Sequence, residues 1–280
     1  MLSSRSISYR VAGALLCLSL LLAVTTRVQA SELAQSVVRH SALGTVIDQY
    51  PQMLTEGISQ GLQQTGNLDP LVKGAITGMV GQAFSSDKIR TRVVGDLSSN
   101  LSDSTLKTVD SWYQSGLGQK VTEAETKAAL PSAWREIEQQ GPKLIEQYKG
   151  SERAELFSSF DRASRATDSA VDTAIAIQTA FGTAMAAFNG GVVDVDAIRN
   201  RVESQRTMLR GIVEQQVYAG YLYTYKDLSD QQMRSYIQFM ESEDGSRFNE
   251  VVTGSVQRAI IEPIESVGAG IARLFGPGKS

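Results

Sequence analysis

Beyond residue 30 the apolar positions of this chain recur every three or four residues, and no stretch alternates apolar with polar or concentrates β-branched residues as a strand would. The pattern predicts an all-α protein. Its first half reads as helices from Glu32 to Gln49, Pro51 to Gln64, Pro70 to Ala83, Ser86 to Ser98, Asp103 to Ser115, Gln119 to Leu130 and Pro131 to Tyr148. Proline stands at several of these starts, where its missing N–H costs nothing. The second half opens with one long helix from Glu152 to Phe188, closed by Asn189-Gly190-Gly191. Within it Ala170 to Phe188 is rich in alanine, but Asp172, Gln178 and three threonines interrupt it, and Val171, Ile175, Phe181, Met185 and Phe188 make a stripe. That is the pattern of a packed helix rather than a membrane span.

One pattern occurs twice. Leu101 to Val121 returns at Leu228 to Phe248, 127 residues later and without a gap. Ser102 and Ser229 occupy helix N-cap positions, each followed by an acid, and Gln232 completes a capping box in the second copy. Leu101 with Leu106, and Leu228 with Met233, have the spacing of a hydrophobic staple. Trp112 and Phe239 are equivalent aromatics, and Gly118 and Gly245 mark a helix end that wants a left-handed or tightly packed backbone. Carried outward, the same offset places Tyr50 over Ile177 and Trp134 over Ile261. The expected architecture is a helical bundle built as a tandem duplication, with residues 31–150 and 151–280 as its two repeats.

The run Trp112 to Lys120, W-Y-Q-S-G-L-G-Q-K, resembles the core motif of the bacterial domain-of-unknown-function family 2059 (DUF2059), helical proteins that are secreted or periplasmic. The second copy, Phe239 to Arg247, departs from it at the Tyr, Gln and Lys positions. The resemblance implies a helical fold and an exported protein. It carries no catalytic residue.

Residues 1–30 read as a cleavable secretory signal: Arg5 and Arg10, an apolar run from Val11 to Val24, and Val28-Gln29-Ala30 before Ser31. The apolar run is short for a membrane anchor, and Arg27 closes it. Cleavage removes Cys17, the single cysteine, and leaves 250 residues with 24 basic and 30 acidic side chains. Thiol chemistry and thiolate metal sites are then excluded, and a net charge of −6 without a basic run disfavours nucleic acid as a partner. The expected location is the periplasm.

Candidate chemistry is sparse. His40, the single histidine, has no visible partner for triad or metal chemistry, and no phosphate loop, G-x-S-x-G or H-E-x-x-H occurs. Asp194 with Asp196, and Glu241 with Glu243 and Asp244, lack calcium-loop spacing. No catalytic residue, metal site or cofactor is therefore expected. Tyr218, Tyr221, Tyr223 and Tyr225 are more informative, because four of the nine tyrosines fall within eight residues and the equivalent stretch, Thr91 to Ser98, has no aromatic. Tyr218, Tyr221 and Tyr225 share a helical face and are the candidate ligand-binding residues, packing being the competing explanation. The final segment, Ile260 to Phe275, is amphipathic with too few basic residues for a membrane surface. These features favour a non-enzymatic envelope protein that binds a protein partner or a hydrophobic small ligand. The alternative is an envelope-polymer hydrolase using a carboxylate pair such as Glu241 and Asp244.

Overall fold

The computed structural model describes residues 31–64, 81–188 and 194–275, together with Gly74, Thr77 and Gly78. The signal segment with Cys17, and most of the helix expected from Pro70 to Ala83, lie outside the described residues. Among the described residues every regular element is an α-helix. They are α1 (31–40), α2 (Leu43–Gln64), α3 (Ser86–Asn100), α4 (Asp103–Tyr113), α5 (Gly116–Ala128), α6 (Pro131–Tyr148), α7 (Glu152–Ser164), α8 (Ala166–Phe188), α9 (Val195–Glu203), α10 (Arg206–Thr224), α11 (Asp230–Glu241) and α12 (Glu243–Phe275). No helix among the described residues is long and apolar enough to cross a membrane.

Three boundaries differ from the sequence expectation. The break expected before Pro51 falls instead at Ser41 and Ala42, and α2 continues through Pro51. Ser41 is buried there and its hydroxyl accepts from the Leu43 amide, so the turn has its own cap. The long helix expected from Glu152 to Phe188 is two helices. Arg165 takes a left-handed conformation, φ 55° and ψ 29°, and the Asp161 carboxylate accepts from the Thr167 amide at 2.8 Å to open the next helix. The third difference is at Gly118 and Gly245, which stand in the first turns of α5 and α12 rather than at left-handed ends. Here the need for glycine is close approach: a Cβ would lie 2.1 Å from the Trp112 carbonyl oxygen at Gly118, and 1.9 Å from that of Phe239 at Gly245.

The caps follow the sequence. Ser102 accepts from the Thr105 amide, and Ser229 and Gln232 form the reciprocal capping box. Leu106 and Met233, the inner halves of the two staples, are both fully buried. Ser115 and Ser242 then accept from the amides of Gly118 and Gly245, at 3.1 and 3.2 Å, so α4 turns into α5 as α11 turns into α12.

Among the described residues these turns place the helices around two apolar clusters, besides the packing of α12 along α8. The first gathers Val37, Val38, Ile47, Val93, Leu97, Leu106 and Val109 from α1 to α4, and is closed by Phe248, Val251 and Ala259 of α12. The second gathers Phe157, Phe160, Tyr221, Leu222, Met233, Ile237 and Met240 from α7, α10 and α11, and is closed by Val121 of α5 with Leu144, Ile145 and Tyr148 of α6. The closing helices are therefore exchanged: α6 packs on α10, and α12 packs on α3. Gly141 permits the first contact by lying against Ala219, and the ion pairs Arg92–Glu262 and Arg258–Asp96 edge the second. Trp112 and Phe239 stack where the cores meet, with ring centroids 4.0 Å apart and planes within 6°. Neither core respects a boundary near residue 150.

The alanine-rich helix behaves as a packed element: Val171 and Ile175 are buried, Phe181 and Met185 are half-buried, and α12 runs along it. Ile260 and Ile264 of the final amphipathic segment are buried as well; the side chains of Val267, Ile271 and Leu274 lie outside the described residues.

Candidate functional site

The tyrosine cluster divides on inspection of its surroundings. Tyr221 is 3% exposed, packs on Phe157 and Phe160, and donates its hydroxyl to the Arg153 carbonyl at 3.2 Å. Tyr218 is half-buried over Phe157, with ring centroids 4.8 Å apart. Tyr223 leaves the cluster and donates to Glu136. At an offset of 127 the residues under Tyr218, Tyr221 and Tyr225 are Thr91, Val94 and Ser98, which with Gln35 and Arg39 line an open groove of about 610 Å³ between α1 and α3. Two of the three tyrosines form packing.

The third does something different. Tyr225 is 5% exposed, and its hydroxyl donates to Glu125 Oε1 at 2.7 Å; Tyr236, from α11, donates to the same oxygen at the same distance. Arg153 secures this arrangement from behind. Its buried guanidinium pairs with Asp230 and donates to the carbonyls of Tyr225 and Leu228, where α10 ends and the second capped turn begins. Withdrawal from water pushes the Glu125 carboxyl above the usual carboxylate range, although both tyrosine hydrogen bonds pull the other way. Burial and the neighbouring carboxylate raise Tyr225 and Tyr236 far above the ordinary phenol range, so both remain donors. Among the described residues no basic side chain reaches Glu125.

This carboxyl opens on a cavity of about 260 Å³ between α2, α5, α6 and the end of α10. Tyr50, Met53, Ala129, Trp134 and Tyr225 form much of its wall. The arrangement is a mostly apolar, open-mouthed chamber with one acid anchored at a fixed point. Sequence reasoning singled out Tyr225 but missed Glu125, Tyr236 and Trp134, which stand 100, 11 and 91 residues away from it along the chain. The available signal was the internal comparison: at an offset of 127 Glu125 matches Val252, Tyr236 matches Val109 and Trp134 matches Ile261.

The remaining candidates have local roles. His40 does have a partner: its Nδ1 lies 2.7 Å from Asp110 Oδ1, while Ser36 donates to Asp110 Oδ2 at 3.2 Å. Serine and imidazole both turn to the one carboxylate, and the hydroxyl lies 3.4 Å from the same ring nitrogen. A nucleophile relay needs the base between hydroxyl and acid, so this trio ties α1 to α4 instead. Asp194 caps α9 by accepting from the Ala197 amide. Glu241 and Glu243 are exposed, and Arg162 lies 3.9 Å from Glu241.

Residues 87–147 match the model of a family described as uncharacterized proteins conserved in bacteria (DUF2059). The matched segment runs from α3 through α6 and contains Ser102, Trp112, Gly118, Glu125 and Trp134. No curated protein matches the chain, and no solved structure does.

Proposed function

We propose that this chain, which carries a DUF2059 segment, is an exported, non-enzymatic binding protein that holds a small, largely apolar ligand in the chamber above Glu125. The observation that carries the reading is the chamber itself: a largely apolar wall with a few polar groups, one of them an anchored acid, is the usual construction of a small-molecule site. Of the carboxylate pair considered for a hydrolase, Glu241 is exposed and Asp244 half-buried, whereas Glu125 lies against an apolar pocket, which is why the binding reading is preferred.

The scaffold is a tandem duplication with a period of 127 residues whose two copies exchange their closing helices. Support comes from paired positions: Ser102 with Ser229 as caps, Gly118 with Gly245 at the close approaches, and Trp112 stacked on Phe239. Duplication lets one copy keep a packed junction while the other gains a site. Export is through residues 1–30, which leaves Ser31 as the mature N-terminus; Edman sequencing of the exported protein is expected to begin there.

The binding reading is tested by purifying the exported protein under native conditions and identifying extracted small molecules by mass spectrometry. Ala129→Phe, which fills the chamber, is expected to abolish the associated compound, whereas Met208→Ser, at a residue 59% exposed on α10, leaves it in place. Identical extracts from all three proteins would overturn the reading.

A further inference from the structure

The chamber has a more specific chemistry than apolarity. Three aromatic side chains, Tyr50 of α2, Trp134 of α6 and Tyr225 just after α10, line one space, and Glu125 lines the same space. Aromatic faces carry a negative quadrupole, and several of them around a cavity beside an acid form the arrangement that receives quaternary and protonated ammonium groups. We propose that the ligand is a small organic cation whose ammonium group sits among Tyr50, Trp134 and Tyr225 and pairs with Glu125. The inference rests on the binding reading above and names its ligand class.

Three observations converge on it. First, the half-buried Glu125 carboxyl has no basic partner among the described residues. Its Oε1 is occupied by two tyrosine hydroxyls, while Oε2 makes no hydrogen bond among the described residues. That second oxygen is free to pair with a cation that enters the pocket. Second, packing does not require this group of residues. At an offset of 127 the counterparts of Tyr50, Glu125, Trp134 and Tyr225 are Ile177, Val252, Ile261 and Ser98. The corresponding positions in the sequence thus carry neither an acid nor an aromatic. Third, the volume of about 260 Å³ lies just under the range of roughly 300–1,000 Å³ that holds drug-sized molecules. That sizes the ligand to an ammonium head with a short substituent.

A cation also changes the protonation of the acid it meets. Tyr225 and Tyr236 donate to Glu125 and Tyr113 feels its charge, and burial holds each of the three as a neutral phenol, so the carboxyl is the group that titrates at the site. Raised by burial, Glu125 releases its proton when a cation binds, and affinity is therefore expected to strengthen as pH rises toward neutrality.

The test is isothermal titration of the full mature protein with choline and with 3,3-dimethyl-1-butanol, its neutral isostere, between pH 5 and pH 8. The expected result is saturable binding of choline, at least tenfold stronger than that of the isostere, and tightening with pH. Glu125→Gln is expected to lose at least tenfold in choline affinity and its pH dependence while unfolding at the same temperature or higher. Trp134→Leu should weaken choline more than the isostere. Equal affinity for both compounds, unaltered by Glu125→Gln, would overturn the cation assignment and leave an apolar binding protein. Failure of choline to bind, with an apolar compound recovered from the native protein and excluded by Ala129→Phe, would overturn it in the same way. If neither probe binds and no compound is recovered, both readings fall.

Discussion

Single side chains in this protein differ sharply in what they cost. Glu125 is the clearest case, because its half-buried carboxyl accepts from two phenols and is not paired with a base among the described residues. Its pKa in the folded state is raised, so the folded chain binds the proton more tightly than the unfolded chain does. The associated stability is complete below the ordinary carboxylate range and is lost as pH rises through the raised value. Chemical denaturation of the ligand-free protein from pH 4 to pH 8 is expected to show this decline, and Glu125→Gln, permanently neutral, should flatten it. Glycine provides a second contrast. Gly118→Ala drives a Cβ into the Trp112 carbonyl and is expected to cost about 1–3 kcal/mol, whereas Gly116→Ala, with nothing within 4 Å, should be neutral or stabilising by about 0.5–1 kcal/mol. Urea titration of the two variants separates them. That Gly118 matters was legible from its recurrence at Gly245; that the reason is a backbone contact was not, since contact distance has no signature in spacing.

At the scale of the helix, local chemistry was readable wherever a side chain acts on its own turn. Ser102, Ser229 and Gln232 cap as expected because an N-cap reaches only the amide two or three residues on. The division of α7 from α8 was not readable. Arg165 is an ordinary helix former, and it is left-handed only because Asp161 captures the Thr167 amide and Asn249 donates to the Ala163 carbonyl at 2.8 Å, a group from the far end of the chain. Replacing Arg165 with glycine removes the Cβ penalty of this conformation. An increase in stability of up to about 1 kcal/mol is expected by thermal or urea unfolding, with no change in helix content by circular dichroism. Pro51 makes the converse point: read as a helix start, it lies inside α2, where Thr55 donates to the Pro51 carbonyl at 2.7 Å and the turn on either side is maintained.

The whole molecule is organised by exchange. Each core draws its first helices from one half and its closing helix from the other, with Trp112 on Phe239 between them. Residues 31–150 produced alone would lack Phe248, Val251 and Ala259, and would expose Val121 and Leu144. That fragment is expected to be either unfolded or a dimer in which a second copy supplies the closing helix, while co-expression with residues 151–280 restores a folded complex. Light scattering and circular dichroism of the separate and combined fragments check this, and a stable folded monomer of 31–150 would contradict it. What the sequence by itself determined is what periodicity and short-range chemistry encode: helices throughout, the capped turns, and the correspondence at 127 residues. Tertiary structure alone decided which half closes which core, and that decided the site. Glu125 is 100 residues from Tyr225 and 111 from Tyr236, and meets them only because α5 crosses to the second core. The physical reason is that an apolar stripe specifies burial without specifying its partner, whereas a buried acid is defined by everything that surrounds it.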